Sequence, residues 1–255
     1  MFRLGCCVDV EDIETVCKAG YDFVDLSGKE LVEMSMKEVE DIKALLRQHN
    51  VPCIGIHATF PASVALCGSR YDECIYDEYV EKLAERAEVL GIQYVGVGSP
   101  YSRCLENGIS KETAEKQLVR CLEKLCQKLP NLMILLESLN CEETNFINTM
   151  PEAHDVIKKV TEKNIGLVWD VYHFLKMQEN IKDLSEELLE AVKYIHVADA
   201  NGRGYPLEKT DADFFSLLKT AVEITKVENV AIEAVSTSIE KDIQESREIV
   251  FSKMM

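Results

Sequence analysis

The chain has 255 residues, of which 47% are hydrophobic, and this length is close to the about 250 residues of a single (β/α)₈ barrel. Asp and Glu total 45 against 28 Lys and Arg, and the resulting charge of −17, without a basic stripe, argues against nucleic-acid binding. No apolar run reaches the roughly 18 residues of a membrane span, and the N-terminus lacks a signal-peptide pattern. Ten cysteines without a CxxC pair indicate reduced thiols, so we expect a cytoplasmic protein.

Short apolar runs alternate with amphipathic stretches along the whole chain, which is the pattern of a parallel α/β protein. Strands are predicted at 2–8, 23–26, 53–57, 94–97, 132–137, 166–170, 194–197 and 230–233. Helices are predicted between them and after the last strand, at 11–19, 37–49, 76–90, 111–129, 151–160, 185–192, 211–224 and 239–251.

These eight strands and eight helices in strict alternation predict a closed barrel that occupies residues 1–255 as a single domain. The strands are continuous apolar runs, as expected where a parallel sheet is buried on both faces. A doubly wound open sheet would alternate in the same way. It would more often carry a glycine-rich phosphate turn after its first strand, and residues 7–12 have no such turn.

Four consecutive predicted strands carry a polar residue at their last or penultimate position, in the order Glu137, Asp170, His196 and Glu233. The carboxyl ends of barrel strands converge on one mouth, where three gathered carboxylates would repel one another. A single divalent cation removes that conflict. A site with mostly oxygen ligands and one imidazole suits Mn²⁺ or Mg²⁺, with Co²⁺ feasible and Zn²⁺ also compatible. Each residue alone would be an ordinary helix cap, loop or core residue, so the prediction depends on the combination.

Further candidates lie close to the same strand ends. His57 ends the third strand, Glu143 follows the fifth, and His173 and Arg203 follow the sixth and the seventh. Their positions make these four side chains candidates for the same site.

The segments that carry these residues resemble the xylose-isomerase-like barrel superfamily, and within it the ketose 3-epimerases that act on D-tagatose and D-psicose. The segment ESLNCEETNFINT (137–149) is similar to the family's E-P-L-N-R-x-E-T-N-x-x-N-T, with Ser138 and Cys141 as departures. WDVYH (169–173) resembles the family's D-x-x-H, which implies that Asp170 binds metal and that His173 contacts substrate. The segment from His196 to Arg203 is one residue longer than the family's H-x-x-x-x-x-R. With this resemblance, we predict that four side chains bind substrate: His57, Glu143, His173 and Arg203.

The resemblance implies a metal-dependent epimerase that inverts a carbon next to the carbonyl of a small ketose through a metal-stabilised enediolate. Glu137 and Glu233 come from strands three apart in the ring, so they are predicted to act as bases on opposite faces. Alternatives on the same fold are an aldose–ketose or hydroxypyruvate-type isomerase and an inosose-dehydratase-like lyase. The apurinic endonuclease branch is disfavoured because it uses several metals and many histidines, whereas this chain has five histidines and a charge of −17. A barrel that binds without catalysis is disfavoured because all four residues of the ligand quartet are present. The expected partners are a small sugar and, for assembly, a second copy of the chain.

Overall fold

Eight parallel strands close into a barrel, as the alternating sequence pattern predicts. A computed structural model describes residues 2–254. The strands are β1 (Arg3–Val8), β2 (Phe23–Ser27), β3 (Cys53–His57), β4 (Tyr94–Val97), β5 (Met133–Glu137), β6 (Ile165–Asp170), β7 (Val192–Val197) and β8 (Asn229–Ile232). Each strand pairs with the next one in the sequence, and β8 pairs with β1 to close the ring. All predicted strands are confirmed within one residue at each end, except that β7 begins two residues early.

Eleven α-helices lie within residues 2–254, and most of them pack around the outside of the barrel. They are α1 (Ile13–Ala19), α2 (Gly28–Glu33), α3 (Met36–His49), α4 (Glu73–Leu90), α5 (Pro100–Arg103), α6 (Lys111–Lys128), α7 (Met150–Ile157), α8 (Val171–Lys176), α9 (Glu186–Ala191), α10 (Ala212–Thr225) and α11 (Ile239–Met254). In this part of the chain, no helix is both long and apolar enough to cross a membrane.

The strict alternation of one helix after each strand is wrong in detail. Helices α2, α5 and α8 were not predicted, and each has only four to six residues. Isolated helices this short are unstable in water, so they depend on packing against the barrel rather than on local sequence preference. All three begin within three residues of a strand's carboxyl end and therefore shape the mouth of the barrel.

Local capping explains why the longer helices begin and end where they do. Ser35 and Glu38 form a reciprocal capping box at the start of α3. The Asp72 side chain accepts the backbone N–H groups of Cys74 and Ile75, so α4 begins at residue 73 rather than at the predicted residue 76. Gly91 ends α4 in the left-handed conformation (φ 73°), which glycine adopts without strain.

The interior of the barrel is a packed core. Its buried side chains are both large and small, and they come from seven of the eight strands: Cys7, Phe23, Ile54, Leu135, Val168, Tyr194 and Ala231. Because this layer fills the barrel, polar side chains at the carboxyl ends of the strands lie on top of it, at the open mouth.

Candidate metal centre and active site

The four polar strand-end residues come together at the mouth of the barrel. Glu137 and Asp170 are the last residues of β5 and β6, His196 is the penultimate residue of β7, and Glu233 follows β8 directly. One potential ligand atom from each residue lies within 4.8 Å of those of the other three. The structure therefore contains a group of three carboxylates and one imidazole that could hold a metal ion.

His196 lies between two of the carboxylates. Its Nδ1 atom is 3.3 Å from Oε1 of Glu137 and 3.3 Å from Oε2 of Glu233. Burial disfavours the charged imidazolium, but the Cys7 and Glu233 groups beside the ring outweigh it and raise the pKa of His196 well above its usual value. Nδ1 therefore faces a concentration of negative charge that a cation has to balance, either a proton or a metal ion.

Asp170 has one oxygen that is held by the backbone and one that is free. Oδ1 caps α8 by accepting the N–H groups of Tyr172 (2.7 Å) and His173 (3.3 Å). Oδ2 is buried without a hydrogen-bond partner among residues 2–254. A buried carboxylate oxygen without a donor is costly, and a metal ion at the strand ends would satisfy it. This orphan oxygen and the donor set of the quartet both fit a divalent ion.

Arg203 neutralises much of the negative charge of the strand-end carboxylates. Its Nη2 atom donates to Oε2 of Glu233 at 2.8 Å and lies 3.8 Å from Oδ2 of Asp170. Its Nη1 atom donates to Oε1 of Glu143, also at 2.8 Å. Although burial disfavours a charged Glu233, Arg203 and His196 hold the pKa of that carboxyl well below its usual range. Glu233 is therefore a carboxylate at neutral pH.

The loop after β7 brings Arg203 to the site despite the extra residue between His196 and Arg203. Arg203 has a positive φ of 55°, an uncommon conformation for a residue with a side chain. Its guanidinium lies 5.3 Å from the centre of the Tyr172 ring, and its carbonyl accepts the Val235 N–H at 2.9 Å. These contacts fix the loop and the direction of the side chain.

His173 lies behind Asp170 rather than on the surface of the cavity. Its Nδ1 atom accepts the Asn140 backbone N–H at 3.2 Å, which leaves the proton on Nε2, 3.7 Å from Oδ2 of Asp170. Burial lowers the pKa of His173 to about 4, so the ring is neutral. Its Nε2–H group has no partner among the described residues and is therefore a free hydrogen-bond donor beside Asp170.

A cavity of about 360 Å³ opens above the four strand-end residues. Five of the predicted site residues line it: His57, Glu137, Glu143, Arg203 and Glu233. Nδ1 of His57 lies 3.5 Å from Oε1 of Glu233, which links β3 to the group. The volume is in the range of small-molecule sites.

Residues after β4 shape the site although the sequence analysis did not select them. A Cβ atom at Gly98 would lie 2.3 Å from Oε2 of Glu137, so glycine is needed for that carboxylate to take its position. Ser99, which lines the cavity, has a positive φ of 48°. A glycine directly after a barrel strand was a usable signal, because close approach is one reason for glycine at such a place.

Arg103, the last residue of α5, is fully buried, and its guanidinium has no hydrogen-bond partner within residues 2–254. Burial lowers its pKa to about 10, while the carboxylates of Glu137 and Glu143 favour its charged form. No feature of the sequence distinguished this residue from a solvent-exposed loop arginine.

Comparison with known proteins agrees with the sequence resemblance. The chain is 26% identical to an inosose isomerase of Halalkalibacterium halodurans over 197 residues, which cover 74% of this chain and 66% of that protein. It therefore matches just under two thirds of that relative's length. It is 27% identical to an L-ribulose 3-epimerase of Methylomonas sp. over 242 residues, covering 89% of this chain and 78% of the relative.

The fold is shared with solved structures. D-Psicose 3-epimerase from Clostridium cellulolyticum superposes with a TM-score of 0.82 at 16% identity, covering 99% of both chains. A structure of the IolI protein with a bound zinc atom superposes with a TM-score of 0.72 at 19% identity, covering 99% of this chain and 98% of that one. The family model described as xylose isomerase-like TIM barrel matches residues 13–251. This chain therefore belongs to the xylose isomerase-like TIM barrel family.

Proposed function

We propose that the protein is a divalent-metal-dependent sugar epimerase or isomerase that removes and returns a proton next to the carbonyl of a small ketose. The convergence of Glu137, Asp170, His196 and Glu233 next to a small cavity, which Glu137 and Glu233 line, carries this proposal. The relatives named as L-ribulose 3-epimerase and inosose isomerase support the same class of substrate.

The four residues of the quartet would hold the metal through three carboxylate oxygens and Nδ1 of His196. We expect Mn²⁺, with Mg²⁺ or Co²⁺ as substitutes, because hard oxygen donors dominate the set. When bound, such an ion withdraws electron density from neighbouring substrate oxygens and makes the adjacent C–H more acidic.

Glu137 and Glu233 are the proposed acid/base pair. They come from β5 and from the end of β8, and both line the cavity. One carboxylate removes the proton from one face of the carbon, and the other returns a proton to the opposite face of the resulting enediolate. Arg203 and His57 keep Glu233 ionised and oriented through contacts of 2.8 and 3.5 Å. Inversion requires two such groups, whereas a shift of the carbonyl between neighbouring carbons can use one.

Four further side chains are proposed to hold the substrate. Arg203 and Glu143 already form a hydrogen-bonded pair at the cavity wall, and they would donate to and accept from sugar hydroxyls. His57 also lines the cavity, next to Glu233. His173 is neutral and its ring does not line the cavity, but its Nε2–H group, which has no partner among the described residues, lies 3.7 Å from Oδ2 of Asp170 and would donate to a substrate oxygen that reaches this end of the site.

A cyclic polyol ketone is the second candidate substrate. The relative named inosose isomerase matches 74% of this chain, and an inosose carries its ketone in a six-membered ring of hydroxyl-bearing carbons. Proton abstraction next to a ring ketone requires the same bases and the same metal position. The two candidates therefore differ in substrate shape and not in the chemistry of the site.

The cysteines suggest where the enzyme works. All ten are free thiols in the structure, and seven of them are buried. We therefore propose that the enzyme acts in the reducing cytoplasm, where thiols of this kind persist.

Turnover in D₂O tests the proposal directly. Purified protein with Mn²⁺ is incubated with linear ketoses, their phosphorylated forms and inososes, and the products are separated and examined for deuterium. We expect an epimer or isomer that carries deuterium on the carbon next to the carbonyl. A product without solvent deuterium would mean hydride transfer, and loss of water would mean a lyase. Addition of a chelator should abolish the reaction.

A further inference from the structure

A second polar group lies inside the barrel, beneath the four strand-end residues. Cys7 on β1 and Asp25 on β2 are neighbours in the sheet, and Tyr194 projects toward them from β7. The Tyr194 hydroxyl donates to Oδ2 of Asp25 at 2.5 Å, and the Cys7 sulfur lies 4.0 Å from the same oxygen. None of these three side chains has a part in the proposed reaction.

The buried Asp25 carboxyl is unusual at this place. Its exposure is 2%, and Oδ1 has no hydrogen-bond partner among the described residues. Space for it comes from Gly55 on β3, where a Cβ atom would lie 2.5 Å from the Asp25 carboxyl carbon. A carboxyl group in a barrel core is costly unless it is hydrogen-bonded or bound to a cation, so this arrangement calls for a partner.

The ring of His196 connects the two polar groups. Its Nδ1 atom faces Glu137 and Glu233, while Nε2 lies 4.0 Å from the Cys7 sulfur. Potential ligand atoms of Cys7, Asp25 and His196 all lie within 4.8 Å of one another. We propose that Cys7, Asp25 and His196 form a second, inner cation site that takes a soft divalent ion such as Zn²⁺ or Cd²⁺.

The ligand chemistry of the inner group differs from that of the outer group. One sulfur, one nitrogen and one oxygen are a set that Zn²⁺ and Cd²⁺ bind well, whereas Mn²⁺ and Mg²⁺ prefer oxygen. The Tyr194 hydroxyl or a water supplies the fourth position. Binding forms a metal–sulfur bond and breaks the S–H bond of Cys7, whose proton leaves to solvent. The thiolate and the Asp25 carboxylate then balance the charge of the ion.

Occupation of the inner site competes with the outer site. A neutral imidazole has only one nitrogen with a free lone pair. An ion on Nε2 therefore leaves the proton on Nδ1, where the Glu137 and Glu233 carboxylates accept it. Cys7 also lines the cavity, so an ion has a route inward past the outer group. A soft ion at the inner site consequently weakens binding of the hard ion at the outer site.

Cadmium titration of the metal-free full chain tests the inner site, because a Cd–thiolate bond has its own ultraviolet charge-transfer absorption. The variants are Cys7→Ser and Asp25→Asn, with Cys17→Ser as the control for a buried cysteine elsewhere. We expect one Cys7-dependent ion per chain in the wild type and in Cys17→Ser. The Cys7-dependent part of the band should be lost in Cys7→Ser, and in Asp25→Asn it should need at least tenfold more Cd²⁺. The exposed thiols of Cys74 and Cys141 contribute equally to all four proteins.

A band of equal strength in Cys7→Ser would overturn the inner site, and so would a wild-type band that is unaffected in Asp25→Asn. Circular dichroism identifies a variant that has not folded, and the other variant then decides.

For competition, the outer site is first loaded with Mn²⁺ and its release is followed by electron paramagnetic resonance. Stoichiometric Cd²⁺ should release Mn²⁺ from the wild type, and Cys7→Ser should need at least tenfold more. Growth of the wild-type band with Mn²⁺ still bound would refute the competition. Neither readout requires catalysis, so the result is independent of the proposed sugar chemistry.

Discussion

Replacement of Glu233 by Gln removes the carboxylate that has the most partners in the proposed site. Glu233 contacts Arg203 at 2.8 Å, His196 at 3.3 Å and His57 at 3.5 Å. Gln has nearly the same shape and keeps one oxygen that can accept from Arg203. It has no negative charge and cannot act as a base at neutral pH.

The expected loss in rate follows from the role of the carboxylate. Proton transfer by a positioned group is worth about 10² to 10⁴ in rate, which corresponds to roughly 3–5 kcal/mol of transition-state stabilisation. The fold should survive, because Glu233 lies beyond the end of β8 and above the packed interior. Without metal, the variant should be less stable than the wild type at neutral pH, because the lowered pKa of Glu233 shows that its charge is net favourable beside Arg203 and His196.

The assay measures kcat, metal content and solvent deuterium exchange on the same sample. Glu143→Gln is the matched control, because Glu143 also binds Arg203 at 2.8 Å but does not belong to the quartet. Glu143→Gln should mainly raise KM and should keep its metal. Glu233→Gln should lose at least about 100-fold in kcat, while one substrate epimer can still exchange its proton. Near-normal epimerisation by Glu233→Gln with its metal retained would refute the two-base reasoning.

Three further outcomes are expected. Gly98→Ala should weaken metal binding and lower activity more than tenfold, because the new methyl group would lie 2.3 Å from Oε2 of Glu137; unchanged metal affinity would contradict this geometry. Burial raises the pKa of Glu179 to about 7, so the wild type should lose stability as pH rises from 4.5 through 7. Glu179→Gln should remove about 1–2 kcal/mol of that loss in denaturant titrations, after allowance for solvent screening. Mn²⁺ at 100 times its Kd should stabilise the wild type by about 2.7 kcal/mol, and a melting temperature unaffected by Mn²⁺ would count against the metal centre.

The sequence was sufficient for the barrel and for the positions of the four quartet residues. Buried parallel strands are continuous apolar runs, and a polar residue at the end of such a run has to face the barrel mouth. For this reason Glu137, Asp170, His196 and Glu233 could be predicted to meet. Position near the same strand ends also selected Glu143, His173 and Arg203, the resemblance implied their substrate-binding role, and the structure brings all three to the same region.

Only the tertiary structure decided the contacts that depend on approach between distant strands. Gly98 makes room for Glu137, and Gly55 makes room for Asp25. These side chains meet only because strand pairing and closure of the ring bring them together. Helices α2, α5 and α8 are too short for local preference to specify, because helix nucleation is unfavourable without packing. The surroundings of the His196 ring also depend on the approach of distant strands. Its place in the sequence predicts one ligand, but only the folded barrel shows that its two nitrogens face two different polar groups.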